Sequence, residues 1–502
     1  MNKLKLKQEV VFHLRLQILI AFFITIASYI HLPFGSIKGN VIYGIHFLLL
    51  HFSIFGFIYI FSLFYKIFKI VFPLLFIIAA SVAFWVYTQD LTIGMGMIQA
   101  TLETKIDIVF DIISLQFVLF VIFSSFSILW FFKKYYKFQT SSIKSPLFRV
   151  SILGVLTFFV VENYKFDAFK NRLPYSIYFS TVKYFKKPNI KLREVKEQVF
   201  TKEDNLHIIL VVGESVRADH LSLNGYKRET TPLLAKQKNL ISFGKVYTPF
   251  TFTAQSLPQI LTDKSIDNRQ KNTEVTSLYS VLNEASFQTE WIGNQTLEKS
   301  YKDIIYSNKT EVIIDKFHSF LSFKKEKDLA LLKYFSADDS FTGNKLTSLH
   351  MIGSHWYYNS RIDSSFYKFK PVITSKYLGS LKKEELINSY DNTIVYLDYF
   401  LNEVIERLKR SSKKTILIYI SDHGETLGED GKWLHAQEHN VSKNPAMLVW
   451  YSNNFKDNYP LKVNKLLSKK TDSITTDFLF HSVLDISDVK NYQYLKVQSI
   501  FN

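Results

Sequence analysis

An acid and an imidazole stand side by side at Asp422 and His423, directly after the apolar run Thr415–Ile420. The run is rich in β-branched residues and predicts a buried strand, so both side chains should lie where a parallel strand ends. Carboxylate oxygen and imidazole nitrogen are ligands that zinc accepts. His435 follows across a glycine-containing loop and can fold back toward the same point. These residues form a candidate metal site, although an aspartate and a histidine can also satisfy each other at the start of a loop.

A second carboxylate occupies the same kind of position. Glu214 follows the apolar run His207–Val212, which also predicts a buried strand. If the two strands are neighbours, Glu214 and Asp422 converge at one edge of a sheet. Unpaired buried charge is costly, so these acids need compensation. A divalent cation would supply it, and a salt bridge to Arg217 or Arg228 is the alternative.

The stretch Thr248–Pro258 is rich in hydroxyl groups and contains Thr253 and Ser256. Serine and threonine favour helix starts, so both can be simple helix caps. A hydroxyl at the amino end of a helix can also act as a nucleophile, because a metal lowers its pKa while the helix dipole receives phosphate oxygens. The residues alone leave both roles open.

Apolar runs alternate with helical stretches from Asn205 onward. Glu384–Lys409 carries apolar residues at helical spacing, and the runs around it predict strands. This alternation favours an α/β fold with a mostly parallel sheet that is covered on both faces. The predicted strands are His207–Val212, Phe287–Ile292, Glu311–Ile314, Leu346–Met351 and Lys414–Ile420.

Five apolar segments dominate the first 165 residues. A helix needs about 20 residues to span a bilayer, so the first and last segments must borrow flanking residues. The last could instead be a buried helix of a soluble domain. The first lacks a small-residue cleavage site, which predicts an uncleaved anchor. The segments are Leu16–Ile30, Val41–Phe64, Ile70–Tyr87, Ile112–Phe132 and Val150–Val161.

Lysine and arginine cluster before the first segment and in alternate connections after it. Such clusters favour the cytoplasmic side, which places the amino terminus inside and everything after Tyr164 outside the cytoplasm. We therefore expect a transmembrane domain at 1–165 and an exported domain at 205–502. Residues 166–204 mix aromatic and basic side chains. They predict either short helices at the lipid headgroups or a solvated linker.

Composition limits the partners. The chain has 61 basic and 44 acidic side chains, a formal net charge of +17. A basic chain can bind nucleic acid or anionic lipid. Because this chain has membrane segments and lacks a nucleic-acid-binding signature, we expect it to interact with anionic lipid and not with nucleic acid. The chain contains no cysteine, which excludes disulfides, thiolate zinc sites and cysteine nucleophiles.

Five short motifs follow one another along the chain: Gly213-Glu214-Ser215, Thr253-Ala254-x-Ser256-x-Pro258, Gly353-Ser354-His355, Ser421-Asp422-His423-Gly424-Glu425 and Leu434-His435. Their order and approximate spacing are those of the phosphoethanolamine transferases, and the chain resembles that family over nearly its whole length. Its members are inner-membrane enzymes of the alkaline phosphatase and sulfatase superfamily. The resemblance implies five transmembrane helices followed by a sulfatase-like α/β/α domain.

The resemblance also implies roles for single residues. The residues that match the ligands of a zinc ion are Glu214, Thr253, Asp422 and His423. Thr253 would be the nucleophile that becomes phosphorylated. His355 and His435 match positions that contact the phosphoryl group or a second metal. His350 matches a further family histidine near the substrate, or it is a buried structural histidine. Tyr390-Asp391-Asn392-Thr393 also resembles the family, and we interpret it as packing and helix capping.

The chain departs from the family at two places. Members typically carry cysteines around the nucleophile, where Pro249 and Gln259 stand here, so packing alone should hold that loop. Members also often have an Asn, a Thr and a Glu at helical spacing before the fourth span, near the donor lipid. This chain offers Ala100, Thr104 and Ile108, and Thr104 is the single match.

The implied activity is transfer of phosphoethanolamine from phosphatidylethanolamine to an envelope glycolipid, lipid A or lipopolysaccharide core. The enzyme would lie in the bacterial inner membrane with its catalytic domain in the periplasm. A phosphoglycerol transferase that uses phosphatidylglycerol is the nearest alternative, and an inactive lipid-binding relative is another. Sulfatase activity is disfavoured, because sulfatases use a modified cysteine or serine and the chain has no cysteine.

Overall fold

A computed structural model describes residues 3–502 except 33, 90, 104–111, 136–137, 139–140, 166, 188, 197, 268–273, 315–325, 338–339 and 435–438. The chain forms two compact units. The helical unit comprises Met1–Ile98, Ile113–Lys187 and Tyr377–Ser380. The sheet unit comprises Gln99–Ile112, Pro188–Lys376 and Leu381–Asn502.

In the part of the chain that the structure describes, the first six helices are α1 (Lys3–Ile20), α2 (Ile37–Ser62), α3 (Tyr65–Gln89), α4 (Met95–Glu103), α5 (Leu115–Lys134) and α6 (Pro146–Tyr164). All except α4 are long and apolar enough to cross a membrane, and α1 continues through short π and 3₁₀ turns to Ser28. Each overlaps one predicted segment. The boundaries differ by several residues because polar caps set them: the side chains of Ser36, Ser114 and Ser145 accept backbone N–H groups at the starts of α2, α5 and α6.

Small residues let α2 and α6 pack closely. A Cβ added at Gly56 would lie 2.6 Å from the backbone oxygen of Ser151, and one added at Gly154 would lie 2.5 Å from that of Phe52. Such glycine contacts are typical of helices that associate in membranes. The fifth predicted segment is therefore part of the bundle and not a helix of a soluble core.

Part of the aromatic and basic linker is helical. Helix α7 (Tyr175–Lys186) buries Ser176 and Ser180 and carries basic residues in its last turn. Tyr178 and Phe185 are exposed on it. Exposed aromatic rings beside ammonium groups are typical of a helix at the lipid interface.

Seven strands form the main sheet: β1 (Leu206–Gly213), β2 (Leu240–Phe243), β3 (Gln288–Gly293), β4 (Thr310–Ile313), β5 (Lys345–His350), β6 (Lys414–Ser421) and β7 (Met447–Tyr451). Their order is β2-β7-β6-β1-β5-β3-β4. β7 is antiparallel to both of its neighbours, and the other pairings are parallel. The prediction of a mostly parallel sheet is confirmed. β2 and β7 were not predicted.

The remaining helices are α8 (Thr253–Ile260), α9 (Leu278–Glu284), α10 (Lys302–Ile305), α11 (Lys383–Leu408), α12 (Asn453–Asn458), α13 (Pro460–Ser468) and α14 (Phe478–Ile486). All eight residues of β1 are buried, so both faces of the sheet are covered. Ile208, Leu210 and Val212 lie in one hydrophobic cluster with side chains of α8, α9 and α14. Among the described residues, eight strands of two residues each pair into separate small ladders.

The register of the central strands places the candidate residues. β1 and β6 are neighbours, with Gly213 opposite Ser421. β5 pairs with the other side of β1 and sets His350 opposite Val212. Because these three strands are parallel, the segments that follow them leave the sheet at one edge.

Candidate metal centre and nucleophile

Three potential metal ligands meet where β1 and β6 end. The ligand atoms of Glu214, Asp422 and His423 lie within 4.8 Å of one another, and all three side chains are buried. His423 Nε2 lies 3.2 Å from Glu214 Oε1 and 3.4 Å from Asp422 Oδ2. The arrangement is thus a cluster of two acids and one imidazole rather than an isolated Asp-His pair.

The loop after β1 adopts a backbone conformation that few residues favour. Ser215 has a φ of +61°, which is uncommon for a residue with a side chain and costs free energy. Its N–H donates to Asp422 Oδ1 at 3.2 Å, and its hydroxyl donates to Glu214 Oε1 at 2.8 Å. These bonds offset the strain and connect the two carboxylates.

Gly353 explains why the Gly-Ser-His motif can approach this loop. It has a φ of +49°, and an added Cβ would lie within 3.0 Å of the backbone nitrogen of Glu214. The following Ser354 N–H donates to the Glu214 carbonyl at 3.0 Å. Glycine is required here both for its conformation and for its size. The contact places His355 in the segment next to the metal-ligand loop.

Hydrogen bonding selects the tautomer of His423. Its Nδ1 lies 2.8 Å from the carbonyl oxygen of Gly424. A carbonyl accepts and cannot donate, so Nδ1 carries a proton, and Nε2 is the nitrogen that can ligate a metal once it has lost its own proton. This orientation is the usual one for a histidine that ligates a metal.

Buried charge raises the pKa values of this group. Burial, followed by the negative charge of Glu214, raises the pKa of the Asp422 carboxyl to about 7. Burial opposes the charged form of His423, but Asp422 and Glu214 outweigh it and raise its pKa to about 10. The metal-free cluster therefore holds protons that a bound cation would replace.

Arg217 and Arg228, the alternative partners for the buried acids, form salt bridges with other residues. Arg217 pairs with Asp219 at 2.7 Å and with Glu429 at 2.6 Å, and Arg228 pairs with Asp391 at 2.9 Å. Among the described residues, neither forms a salt bridge with Glu214. Two carboxylates and an imidazole nitrogen that converge in a buried position, without an arginine, fit a zinc-type ion.

Thr253 is the first residue of α8, and its hydroxyl donates to Glu214 Oε2 at 2.8 Å. The positive end of the helix dipole therefore points toward the cluster at this residue. Ser256 has a different role, because its hydroxyl donates back to the carbonyl of Phe252 at 3.2 Å. The structure thus brings Thr253 together with the acids and imidazole, and leaves Ser256 inside the helix.

The expectation that packing alone holds the nucleophile segment is wrong. The hydroxyl of Thr476 donates to Gln259 Oε1 at 2.6 Å, and the N–H of Thr248 donates to the carbonyl of Lys443 at 3.0 Å. Gln259 stands where the resemblance places a cysteine, so a buried amide hydrogen bond fixes this end of the segment.

His355 and His350, which the sequence predicts as substrate contacts, lie in different environments. His355 is 8% exposed, and its Nδ1 donates to the Trp356 carbonyl at 2.6 Å. His350 is fully buried against the ring of Trp291, and neither ring nitrogen has a hydrogen-bond partner within the described residues. Burial lowers the pKa of His350 to about 4, so this ring is neutral.

Two predicted contacts, Thr104 and His435, lie outside the described residues. The helix before Thr104, α4, does reach the nucleophile segment: the side-chain amide of Gln255 donates to Gln99 Oε1 at 3.5 Å. Glu103 accepts the N–H of Ser300 at 3.1 Å.

Gln295 and Tyr390 contribute to the site in ways that the sequence did not indicate. The Gln295 amide donates to Glu214 Oε2 at 3.2 Å and to the Met351 carbonyl at 2.7 Å. The Tyr390 hydroxyl donates to the Ser215 carbonyl at 2.7 Å and accepts the N–H of Arg217 at 2.9 Å. Gln295 follows β3, a predicted strand, and this position near the end of a strand is the one feature of the sequence that could have indicated its role. Tyr390 therefore does more than pack.

Replacing Gln295 with alanine should weaken the binding of a metal ion at this cluster by roughly 10-fold, because groups that orient metal ligands contribute about this much. Competition with a chromogenic chelator measures the affinity. Gln237→Ala is the matched control, since that amide bonds Asn402 and Glu406 on α11. Equal metal affinity in both variants would show that Gln295 does not orient Glu214.

Comparison with known proteins agrees with this geometry. The family model described as Sulfatase matches residues 207–489, more than half of the chain, and the one described as Phosphoethanolamine transferase EptA/EptB matches residues 50–188. Phosphoethanolamine transferase EptA of Escherichia coli O157:H7 is 32% identical over 305 residues, which are 58% of this chain and 55% of the relative. The chain thus spans about half the length of the curated relative it matches.

Two solved structures share the fold. The integral membrane lipooligosaccharide phosphoethanolamine transferase A of Neisseria meningitidis superposes with a TM-score of 0.82 at 22% identity, covering 98% of each chain. The periplasmic domain of EcEptC from Escherichia coli, in complex with Zn, gives 0.54 at 23% identity, covering 62% of this chain and 90% of that domain. With its five apolar helices, the chain is a multi-pass membrane protein. It belongs to the sulfatase family, and its amino-terminal part is similar to the phosphoethanolamine transferases EptA and EptB.

Proposed function

We propose that this protein transfers phosphoethanolamine from phosphatidylethanolamine to an envelope glycolipid of the lipid A or lipopolysaccharide core type, through a phosphothreonine intermediate at a zinc site. The observation that carries the proposal is the hydrogen bond from the Thr253 hydroxyl to Glu214, inside the cluster completed by Asp422 and His423. A threonine hydroxyl at a helix start, against metal-type ligands, is suited to attack phosphorus.

In the first half-reaction Glu214 orients the Thr253 hydroxyl toward the phosphorus. The threonine oxygen bonds to phosphorus while the bond from phosphorus to the glycerol oxygen breaks, and diacylglycerol leaves with a proton. A zinc ion held by Glu214, Thr253, Asp422 and His423 would supply positive charge that lowers the pKa of the hydroxyl and balances the phosphate oxygens.

In the second half-reaction a hydroxyl or phosphate oxygen of the acceptor attacks the phosphothreonine and restores the Thr253 hydroxyl. An ionised phosphate oxygen attacks without losing a proton, and the departing threonine oxygen takes one up. An incoming hydroxyl must lose its proton. With its own proton on Nδ1, His355 can accept that proton at Nε2. His435 is the second candidate for this step.

The proposed location is the bacterial inner membrane, with the amino terminus in the cytoplasm and the catalytic domain in the periplasm. The division into a transmembrane domain at 1–165, an interfacial linker at 166–204 and a catalytic domain at 205–502 is part of the proposal. Anchoring keeps the enzyme in the leaflet that holds donor and acceptor, which raises their effective concentration. The named activity of the Neisseria relative, on lipooligosaccharide, supports the acceptor class.

Mass spectrometry of envelope glycolipids from cells with and without the protein tests the proposal. One glycolipid species should gain the mass of phosphoethanolamine, and label should come from ethanolamine-labelled lipid. Incorporation of labelled glycerol instead would establish a phosphoglycerol transferase. Unchanged glycolipids and absence of bound zinc would favour an inactive lipid-binding relative.

Zinc binding should strengthen as the pH rises. Asp422 and His423 must be deprotonated to bind the ion, and in the metal-free protein their pKa values are about 7 and about 10. Binding therefore releases protons, and the apparent affinity should increase as the pH is raised through this range. Chelator competition on either side of pH 7 measures the effect. An affinity independent of pH would contradict these ligand assignments.

A further inference from the structure

The helical unit contains a polar cavity of about 460 Å³ that none of the roles above uses. Residues just after α1, in the first turns of α2 and in the turn that follows α6 line it. Two cations, Lys165 and Arg172, line it together with Asp167, and Tyr29 and His46 contribute polar ring atoms. The cavity therefore presents both signs of charge at the end of a membrane-spanning bundle.

Arg172 is held in place at this cavity. Its Nη1 donates to the carbonyl of Ser28, and its guanidinium carbon lies 5.2 Å from the ring centroid of Tyr29. The Tyr29 hydroxyl in turn lies 2.6 Å from His46 Nδ1. No carboxylate of the described residues pairs with Arg172, so its charge is available to an anion.

A buried acid builds the turn that carries Arg172. Glu162 accepts the backbone N–H groups of Asp167 at 3.1 Å, Phe169 at 2.6 Å and Lys170 at 2.9 Å. Lys170 also pairs with Glu162 at 3.3 Å. Because the charge of Glu162 is satisfied within the turn, it does not compete for the cations that line the cavity.

The segment that follows this turn also lines an apolar groove of about 640 Å³. α1, α2 and α3 form its walls, with side chains such as Ile54 and Phe76, and Thr181 of α7 closes it. Pro174 and Ile177 line this groove, whereas Leu173 and Ser176 line the polar cavity. Neighbouring residues of a single short segment thus line both a charged cavity and an apolar groove.

We propose that the cavity and groove together bind one molecule of phosphatidylethanolamine. Its phosphodiester lies against Arg172 and Lys165, its ammonium group faces Asp167, and an acyl chain fills the groove. Guanidinium and ammonium groups bind phosphate, and a carboxylate binds a primary ammonium. A groove in a membrane-spanning bundle is in contact with lipid chains, which fit its apolar wall. That this lipid serves as the donor rests on the proposed function, but the binding site does not.

Native mass spectrometry of the delipidated full-length protein tests this site, with phosphatidylethanolamine and phosphatidylglycerol offered at equal concentration. We expect one phosphatidylethanolamine per chain, and Arg172→Gln should reduce its occupancy at least about tenfold. Arg149→Gln, a change of the same type at an exposed position, should leave it unchanged. If Arg172→Gln misfolds, Lys165→Gln replaces it, since that side chain is exposed.

Two further changes separate the parts of the site. Thr181→Trp should fill the groove and reduce binding, whereas Lys183→Trp at an exposed position of α7 should not. Asp167→Asn should remove the preference for phosphatidylethanolamine over phosphatidylglycerol. Equal binding of both lipids by the unmodified protein, or full occupancy in Arg172→Gln, would overturn the proposal. Thr253→Ala should retain lipid binding, so loss of transfer alone tests the proposed function and not this site.

Discussion

Phosphoethanolamine transfer should fall at least ~10³-fold when Thr253 is replaced by alanine, the scale seen when a covalent nucleophile is removed. The variant should fold normally, because the lost hydroxyl donates to Glu214 in the polar cluster and the β-carbon stays in place. Transfer of labelled ethanolamine from lipid to glycolipid in membranes measures the effect, and thermal unfolding checks the fold.

Thr253→Ser and Thr262→Ala are the matched variants. Serine keeps a hydroxyl at the same position and should retain measurable transfer. Thr262 lies just beyond α8, where its hydroxyl donates to the Pro258 carbonyl, so its loss should leave activity largely intact. Full activity in Thr253→Ala would remove this residue from the mechanism.

If the cluster binds zinc as proposed, Asp422→Asn should remove the ion and lower the zinc affinity by at least about 100-fold, since losing a ligand costs more than losing a group that orients one. The amide has nearly the same shape but no charge, so the buried cluster loses half of its carboxylate charge. Elemental analysis of the purified variant reports the zinc content, and transfer should fall in parallel.

Asp398→Asn controls for the loss of a buried carboxylate. Asp398 on α11 accepts the N–H groups of Leu233 and Leu234, and it lies outside the metal cluster. This variant should lose thermal stability but keep its zinc. If Asp422→Asn retained one zinc per chain and full transfer, the ion would have to be held by other residues.

The positions of Glu214 and Asp422 could be predicted because each follows an apolar run that is long enough for only one buried strand. Strand ends are local features of sequence, and parallel strands share an edge. That β1 and β6 are direct neighbours could not be predicted, because strand order depends on pairings between residues about two hundred positions apart.

Contacts from distant segments were missed for the same reason. Gln295 reaches Glu214 from the loop after β3, and Tyr390 reaches Ser215 from α11. Neither residue type indicates such a role by itself. β7 was missed because its apolar run Met447–Tyr451 is short and its antiparallel direction breaks the alternation that the other strands follow.

The prediction that packing alone holds the nucleophile segment fails at Gln259 for a physical reason. The resemblance marks positions where relatives carry cysteine, and the absence of cysteine predicts only that no disulfide forms. A buried amide can take the place of that cross-link if a partner is within reach, and Thr476 is that partner. A hydrogen bond between residues so far apart in sequence depends on tertiary structure.

The most direct test of the central claim is peptide mass spectrometry of the enzyme after incubation with phosphatidylethanolamine in the absence of an acceptor. We predict the mass of one phosphoethanolamine on the peptide that contains Thr253, and its absence after zinc removal by a chelator and in Thr253→Ala. Modification of a different residue, or rapid transfer by an enzyme that never carries this mass, would contradict a threonine nucleophile at the cluster of Glu214, Asp422 and His423.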